Sequence, residues 1–214
     1  SVTEDATFNP VTPYGESKEF VERDVAPLAD ENFHPTFLRN ATAYGLSPRL
    51  RGDLVVNNLT GYAMTTGKVL LRSDGSPWRP LVHIEDISLA FLAVLHSPVE
   101  KIHNEAYNVG LTSENYQIRD VAKIVEEVVP GSKVTFDEGA GPDKRCYRVS
   151  CDKIVNELPE YQPKWTVRKG VEELYEAYKA HGLTLEEFES SRYLRIKHVD
   201  GLQKSGQLDG DLRW

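Results

Sequence analysis

Short strand-like runs alternate along this chain with amphipathic helical patterns, and this alternation restricts the possible folds more than any other feature. Between residues 54 and 64 apolar side chains recur at helical spacing; Gly67 then marks a stop, and Val69-Leu70-Leu71 follows as a strand. Further strands are predicted at 36–39, 79–84, 106–110 and 133–136, and further helices at 16–29, 85–95, 118–129 and 165–178. Repeated exchange of the two patterns predicts an α/β protein.

Two segments at the edges of this pattern carry separate expectations. Pro27 lies inside the first helical pattern and is expected to kink or end that helix, because proline lacks an N–H donor. Residues 185–214 are polar and helix-prone, and we expect them to form a loosely attached tail.

The composition excludes several classes of function. The formal net charge is −8 and the isoelectric point about 5.3, which argues against a nucleic-acid partner, because such binding needs basic surface. No apolar run approaches the roughly 18 residues of a membrane span, and the first residues lack the features of a signal peptide. Cys146 and Cys151 do not form a metal-ligand cluster, and their spacing along a strand makes a mutual disulfide unexpected. These features predict a cytoplasmic protein without a membrane partner.

The segment Pro13-Tyr14-Gly15-Glu16-Ser17-Lys18 contains a pair suited to proton transfer. Residues four apart lie on one face of a helix, one turn from each other. A nearby ammonium favours the phenolate form of a tyrosine, which allows the side chain to act as a general acid/base. By spacing alone, a chance pair at the exposed start of a helix is the more frequent explanation.

Four segments together resemble the extended short-chain dehydrogenases/reductases, the family of UDP-galactose 4-epimerase and dTDP-glucose 4,6-dehydratase. Tyr14 and Lys18 match the family's Tyr-x-x-x-Lys motif. The other matching segments are Leu38-Arg39-Asn40-Ala41-Thr42-Ala43-Tyr44-Gly45, Asp74-Gly75-Ser76-Pro77-Trp78-Arg79-Pro80-Leu81-Val82-His83-Ile84-Glu85-Asp86 and Tyr107-Asn108-Val109-Gly110. The resemblance covers roughly residues 5 to 155, in the family's order.

This resemblance implies the C-terminal part of a Rossmann-type doubly wound parallel sheet together with a smaller α/β substrate-binding domain. Residues 1–45 and 81–112 would belong to the NAD-binding domain, 46–80 and 113–183 to the sugar-nucleotide-binding domain, and 184–214 to a helical tail. The family's glycine-rich loop, which cradles the dinucleotide pyrophosphate, is missing from these 214 residues. The chain is therefore expected to be a fragment of a longer protein or to have its other half in a second chain.

The resemblance also implies a set of site residues. Tyr14 would be the catalytic acid/base and Lys18 would hold the nicotinamide ribose, so both would contact the cofactor, as would Ala41. The implied substrate-binding residues are Thr42, Asn58, Leu70, Arg72, Arg79, Asp143 and Arg145. Arg49 and Arg51 are either further substrate contacts or solvated loop charges, and His83 and Asp86 are expected to be structural.

The implied reaction is an NAD(P)-dependent epimerisation or dehydration of a nucleotide-diphosphate sugar. The cofactor is expected to be NAD, with NADP open. A homodimer is expected through the helix that starts at Glu16. Two alternatives stay open: a sugar-nucleotide ketoreductase, and a non-catalytic or incomplete sugar-nucleotide-binding fragment.

Overall fold

The structure is a computed structural model, and it describes residues 1–137 and 146–214. The helices are α1 (Pro13–Val25), α2 (Val55–Thr66), α3 (Ile84–His96), α4 (Val99–Ile102), α5 (Ile118–Val128), α6 (Asp152–Glu157), α7 (Val167–Ala180), α8 (Leu185–Phe188) and α9 (Arg195–Lys204). The strands are β1 (Thr36–Asn40), β2 (Thr42–Tyr44), β3 (Lys68–Leu71), β4 (Trp78–His83), β5 (Glu105–Val109), β6 (Asn115–Gln117) and β7 (Lys133–Phe136). Within these described residues, no helix is both long and apolar enough to span a bilayer.

Two pairs of parallel strands confirm the predicted α/β class. β1 and β5 pair in parallel from Thr36 opposite Glu105 to Asn40 opposite Val109. β3 and β7 also pair in parallel, whereas β4 lies between β2 and β6 and pairs with β6 in the antiparallel direction. The predicted strands coincide with β1, β3, β4, β5 and β7 to within one or two residues. The short β2 and β6 were not predicted, because three residues carry too little periodicity.

Helix α1 begins earlier than the sequence pattern predicts. It starts at Pro13 rather than at Glu16, because the Thr12 hydroxyl accepts a hydrogen bond of 3.1 Å from the Gly15 amide and caps the helix. Proline suits the first helical position, where its missing N–H is not needed. The helix ends at Val25, and a single 3₁₀ turn containing Pro27 follows, as predicted. The earlier start places Tyr14 within the first helical turn.

The described chain divides into two compact units. The first contains Ser1–Ala43, Ser76–Ile118 and 146–166, and the second contains Tyr44–Gly75, 119–137 and Val167–Trp214. Both units are therefore discontinuous in sequence. The observed division places 146–166 in the first unit and the C-terminal residues in the second.

The core of the first unit is built on β5. Tyr107 and Val109 are fully buried there and pack in one cluster with Ala90 and Ala93 of α3 and with Ile154 of α6. Burial of such side chains contributes roughly 25 cal/mol for each Å² of apolar surface removed from water. This cluster holds β5, and with it the paired β1, against the helices of the first unit.

The core of the second unit joins α2, α7 and the C-terminal residues. Phe188 of α8 is only 1% exposed, and its ring lies so close to Gly61 of α2 that a side chain at Gly61 would collide with it. Tyr62 also donates a hydrogen bond of 2.7 Å to the Glu189 carboxylate. The expectation of a loosely attached tail was therefore wrong for this segment, because a single buried aromatic side chain anchors it to α2.

Candidate active site

Tyr14 and Lys18 lie on one face of α1, one turn apart. The Tyr14 side chain is 74% exposed, and the Lys18 Nζ lies 5.2 Å from the centroid of its ring. Ser17, which lies between them in sequence, donates its hydroxyl to the Tyr14 carbonyl oxygen at 2.8 Å. Neither the Tyr14 hydroxyl nor the Lys18 ammonium hydrogen-bonds to another residue within 1–137 or 146–214. Both polar groups are therefore available to a ligand.

Arg39 of β1 ties α1 to the first unit, a role that the sequence patterns did not reveal. Its guanidinium forms an ion pair with Glu22 of α1, with a distance of 2.9 Å between Nη2 and Oε1. The same group donates a hydrogen bond of 2.7 Å to the Glu4 carbonyl oxygen and lies 4.5 Å from the centroid of the Phe8 ring. Since Glu22 and Arg39 are 17 positions apart in sequence, only the folded structure brings them together.

A cavity of about 440 Å³ adjoins this ion pair in the first unit. It is lined by Phe8, Glu19, Glu22, Arg23, Ala26, Phe37, Arg39, Asn104 and Ala106. Within the described residues β1 pairs with β5 alone, so its other edge carries unpaired backbone groups. Helix α1 has no buried residue, and Phe20 and Val21 on it are 44% and 56% exposed. This side of the first unit therefore has the properties of a surface to which a further element can pair.

Ala41 and Thr42 follow the carboxyl end of β1. The Ala41 amide donates to the Val109 carbonyl oxygen at 3.0 Å, so the ends of the two parallel strands stay together. Gly110 has a φ of +154°, and a side chain there would contact Ala41 and the Cys151 sulfur. The carboxyl edge of a parallel sheet is the usual place for ligands in α/β proteins. The positions of Ala41 and Thr42 are compatible with the implied ligand contacts.

Arg79 of β4 is a buried cation in the first unit. It is 9% exposed, its Nη1 donates to the Trp78 carbonyl oxygen at 2.8 Å, and its guanidinium carbon lies 5.9 Å from the centroid of the Tyr147 ring. The implied contact of Arg79 to a diphosphate stays a prediction.

Asn58 of α2 holds the polypeptide loop that precedes the helix. Its Nδ2 donates to the Gly52 carbonyl oxygen at 2.8 Å. The neighbouring Asn57 is 1% exposed and makes two hydrogen bonds to the same loop. Its side chain accepts from the Gly45 amide at 3.0 Å and donates to the Arg51 carbonyl oxygen at 3.0 Å. Sequence reasoning missed Asn57, although two consecutive amide side chains after a loop are a usable signal for loop-fixing hydrogen bonds.

The remaining implied substrate contacts are not brought together with Tyr14 by any described contact. Leu70 of β3 is 37% exposed, and the exposed Arg72 follows that strand in the second unit. Asp143 and Arg145 lie outside the described residues. Arg51 forms an ion pair with Asp53, and its hydrogen bond is the main reason that the Asp53 pKa lies below its ordinary value.

His83 and Asp86 are structural, as predicted. The His83 Nδ1 accepts from the Glu85 amide at 3.1 Å and caps α3, while its ring stacks on Trp165 with 3.8 Å between centroids. The Asp86 carboxylate accepts from the amides of Lys164 and Trp165 at 2.9 and 3.1 Å. Burial raises the pKa of Asp86, and these two hydrogen bonds act against that shift.

Neither cysteine is engaged in a disulfide, and burial raises the pKa of the Cys151 thiol to about 12. Such a thiol is protonated at neutral pH and is a poor nucleophile. Within the described ranges no group of three or more His, Cys, Asp or Glu side chains is placed to hold a metal ion.

A second Tyr-x-x-x-Lys pair occurs on α7 in the second unit. The Lys179 Nζ lies 5.6 Å from the centroid of the Tyr175 ring, close to the value for Lys18 and Tyr14. Tyr175 is half-buried, and α7 carries five buried residues (Val167, Gly170, Val171, Leu174 and Tyr178), whereas α1 carries none. The pairwise geometry is therefore not unique to the candidate site.

Comparisons with known proteins agree with the resemblance. A family model described as the NAD dependent epimerase/dehydratase family matches residues 1–110, more than half of this chain. A curated relative, the (2S)-flavan-3-ol-forming anthocyanidin reductase of Vitis vinifera, is 25% identical over 193 residues. The match covers 81% of this chain and 51% of that protein, so the chain spans about half the length of the relative.

Solved structures show the same fold. The UDP-glucuronic acid 4-epimerase from Bacillus cereus, solved with UDP-glucuronic acid and NAD, matches with a TM-score of 0.70 and 23% identity over 85% of this chain and 57% of that one. The dTDP-glucose 4,6-dehydratase from Bacillus anthracis, solved with NAD, matches with a TM-score of 0.72 and 21% identity over 88% of this chain and 58% of that one.

Proposed function

This chain belongs to the NAD dependent epimerase/dehydratase family, and from that premise we propose that it carries the acid/base part of a sugar-nucleotide active site. The proposed reaction is an NAD(P)-dependent epimerisation or dehydration of a nucleotide-diphosphate sugar. The observation that carries the proposal is the exposed Tyr14–Lys18 pair on α1, whose two polar groups have no hydrogen-bond partner among the described residues.

The proton steps follow from the chemistry of the pair. Tyr14 removes a proton from a sugar hydroxyl as that carbon is oxidised, and it returns the proton when the carbon is reduced. Lys18 would stabilise the phenolate during this step and would hold the ribose of a bound nicotinamide cofactor. NAD, when bound, would supply the hydride acceptor and donor. The free phenol and ammonium fit this arrangement, since both are uncommitted donors on one helix face.

The pyrophosphate of the cofactor needs residues beyond this chain. Among its 15 glycines none forms Gly-x-Gly-x-x-Gly or Gly-x-x-Gly-x-x-Gly, the patterns that let backbone amides approach a pyrophosphate. The unpaired edge of β1 and the exposed α1 provide a surface on which a further α/β segment can complete the sheet. We infer that NAD binding and turnover require that segment, in the same polypeptide or in a second one.

Arg79 is the proposed main anchor of the substrate diphosphate. A guanidinium offers two parallel N–H donors to phosphate oxygens, and the 9% exposure of Arg79 strengthens such a contact by limiting solvent screening. Contacts from Thr42, Asn58, Leu70, Arg72, Asp143 and Arg145 stay predictions. Asn58 keeps one amide hydrogen and its carbonyl oxygen available after its bond to Gly52.

A ketoreductase that stops after one hydride transfer is a second candidate, because the curated relative is named a reductase. The non-catalytic alternative predicts sugar-nucleotide binding without conversion. A homodimer through α1 is also proposed, since Phe20 and Leu28 are exposed apolar side chains on or next to this helix.

The proposal is tested with the complete protein, a panel of UDP- and dTDP-sugars and NAD or NADP, with products identified by NMR. Conversion to an epimer or a dehydrated sugar supports the proposal, and reduction of a keto sugar alone selects the ketoreductase. Arg79→Ala is expected to weaken nucleotide-sugar affinity at least about tenfold, because a charge-assisted contact contributes about 1.5–3 kcal/mol. An unaltered dissociation constant in calorimetry would argue against the role of Arg79.

A further inference from the structure

Three arginine side chains line a recess in the second unit. Its volume is about 240 Å³. The lining residues are Arg49, Leu50, Ser191, Arg192, Tyr193, Arg195 and His198. These lining residues belong to the loop before α2 and to residues 191–198, which include the start of α9. The recess therefore exists only where these two parts of the chain meet.

Backbone and core contacts fix this meeting point. The Gly52 amide donates to the Tyr193 carbonyl oxygen at 3.0 Å. Leu50 is 8% exposed, and the Tyr193 ring lies 6.1 Å from the ring of the buried Phe188. The cationic side chains are exposed, but the backbone that carries them is held by the core of the second unit.

The residues that line the recess include three arginines and no acidic side chain. The side chains of Arg49, Arg195 and His198 form no hydrogen bond or ion pair with residues in 1–137 or 146–214. Arg192 is partly neutralised, because its Nη1 hydrogen-bonds to Glu187 at 2.7 Å. Asp53 is also close enough to interact with Arg195: its hydrogen bond with Arg51 is the main reason that the Asp53 pKa lies below its ordinary value, and Arg195 adds to that effect.

The amino terminus of helix α9 adds positive electrostatic potential to the recess. It begins at Arg195 and has ten residues, and the preceding Leu194 offers no side-chain cap. The amides of its first turn therefore lack a side-chain acceptor, and the helix dipole adds positive potential there.

We propose that this recess binds a compact oxyanion, a phosphate or carboxylate group. Guanidinium groups match the geometry of such oxyanions with paired N–H donors, and helix amino termini favour the same ligands. The oxyanion comes either from a nucleotide phosphate or from a separate small anion. The inference does not depend on the proposed function, because none of the residues that line the recess is given a role there.

The test uses inorganic phosphate as the probe and the 214-residue chain, with calorimetry at constant ionic strength adjusted with sodium chloride. We expect saturable binding of one phosphate, weakened at least about tenfold by Arg195→Gln and lost in Arg49→Gln/Arg195→Gln, because each removes a charge-assisted contact. Lys204→Gln, at the opposite end of α9, is the matched control and is expected to leave the affinity within about twofold, because its charge acts mainly beyond a screening length.

The substituted side chains are exposed, so we expect each variant to fold. Thermal unfolding without phosphate verifies this. No binding above the chloride background, or equal affinity in the double variant and the native chain, overturns the proposal. A second arm titrates UDP in the presence and absence of phosphate. Competition, with UDP weakened by Arg195→Gln, identifies the anion as a nucleotide phosphate; independent binding of both identifies a separate small anion.

Discussion

Helices α1 and α7 carry the same Tyr-x-x-x-Lys spacing and nearly the same local geometry, but they differ in what surrounds the pair. The ammonium lies 5.2 Å from the ring centroid on α1 and 5.6 Å on α7. Helix α1 has no buried residue and Tyr14 is 74% exposed. Helix α7 instead buries an apolar face that includes Val171 and Leu174.

A tyrosine and a lysine four positions apart on a helix therefore do not define an active site by themselves. On α7 the lysine and tyrosine occupy the solvent margin of a helix whose main role is to complete a core. On α1 the helix is attached chiefly by Arg39 and leaves its tyrosine open to ligands. Context, rather than spacing, supports the acid/base role proposed for Tyr14.

We expect the largest difference between α1 and α7 when each tyrosine is replaced and kcat is measured. In the complete protein, Tyr14→Phe should lower kcat by about 10²–10⁴-fold, the usual contribution of general acid/base catalysis. Tyr175→Phe should leave kcat within about twofold, because that phenol takes no part in proton transfer. Steady-state assays measure kcat for both variants. Equal losses of kcat would show that the different surroundings of the two tyrosines do not distinguish a catalytic residue from a structural one.

The next effect separates the two helices by stability. Leu174→Ala on α7 should lower the free energy of unfolding by about 2–5 kcal/mol, because it leaves a cavity in a closed core. Val21→Ala on α1, where the side chain is 56% exposed, should change it by less than about 0.5 kcal/mol. Urea unfolding of the isolated chain measures both values. A large loss for Val21→Ala would mean that this face of α1 is covered.

The lysines are expected to differ by a smaller factor. Lys18→Met should lower kcat/KM about 10- to 100-fold, because a charge-assisted contact to the cofactor ribose is lost. Lys179→Met serves as the control at the matched position of α7 and should leave activity unchanged. A cofactor titration followed by fluorescence shows whether the loss of activity includes weaker NAD binding. Full activity in Lys18→Met would show that Lys18 has no part in catalysis or cofactor binding.

The smallest effect concerns the attachment of α1. Arg39→Met should destabilise the chain by about 1–3 kcal/mol, because Glu22 and the Glu4 carbonyl lose a half-buried partner. Arg23→Met removes an exposed ion pair with Asp24 on the same helix and should leave the stability close to that of the native chain, because solvent screens an exposed pair. Thermal unfolding of both variants provides the readout, and similar small losses would show that Arg39 does not hold α1.

Much of this fold could be predicted from sequence, because its long helices and its five longest strands carry clear periodicity. Glycine at the end of α2 and the proline after α1 marked element ends through local backbone chemistry. The three-residue strands β2 and β6 were missed, since so short a segment has no detectable period. The start of α1 was placed three residues late, because the capping role of Thr12 was overlooked.

The candidate site was predictable only where residues close in sequence act together. Tyr14 and Lys18 are four positions apart, so their proximity follows from helix geometry. Arg39 with Glu22, Asn57 with Gly45, and Phe188 against Gly61 meet only through tertiary folding. The same limit applies to the cationic recess, which joins the loop before α2 to the start of α9.

The most direct measurement of the central claim is single-turnover hydride transfer in the complete protein, with nucleotide sugar and oxidised cofactor bound beforehand. Formation of reduced nicotinamide then reports the step coupled to proton removal, free of differences in binding. The account predicts that Tyr14→Phe binds the nucleotide sugar with native affinity but transfers hydride at least about 10²-fold more slowly, while Tyr175→Phe matches the native rate. A native rate of hydride transfer in Tyr14→Phe would contradict it.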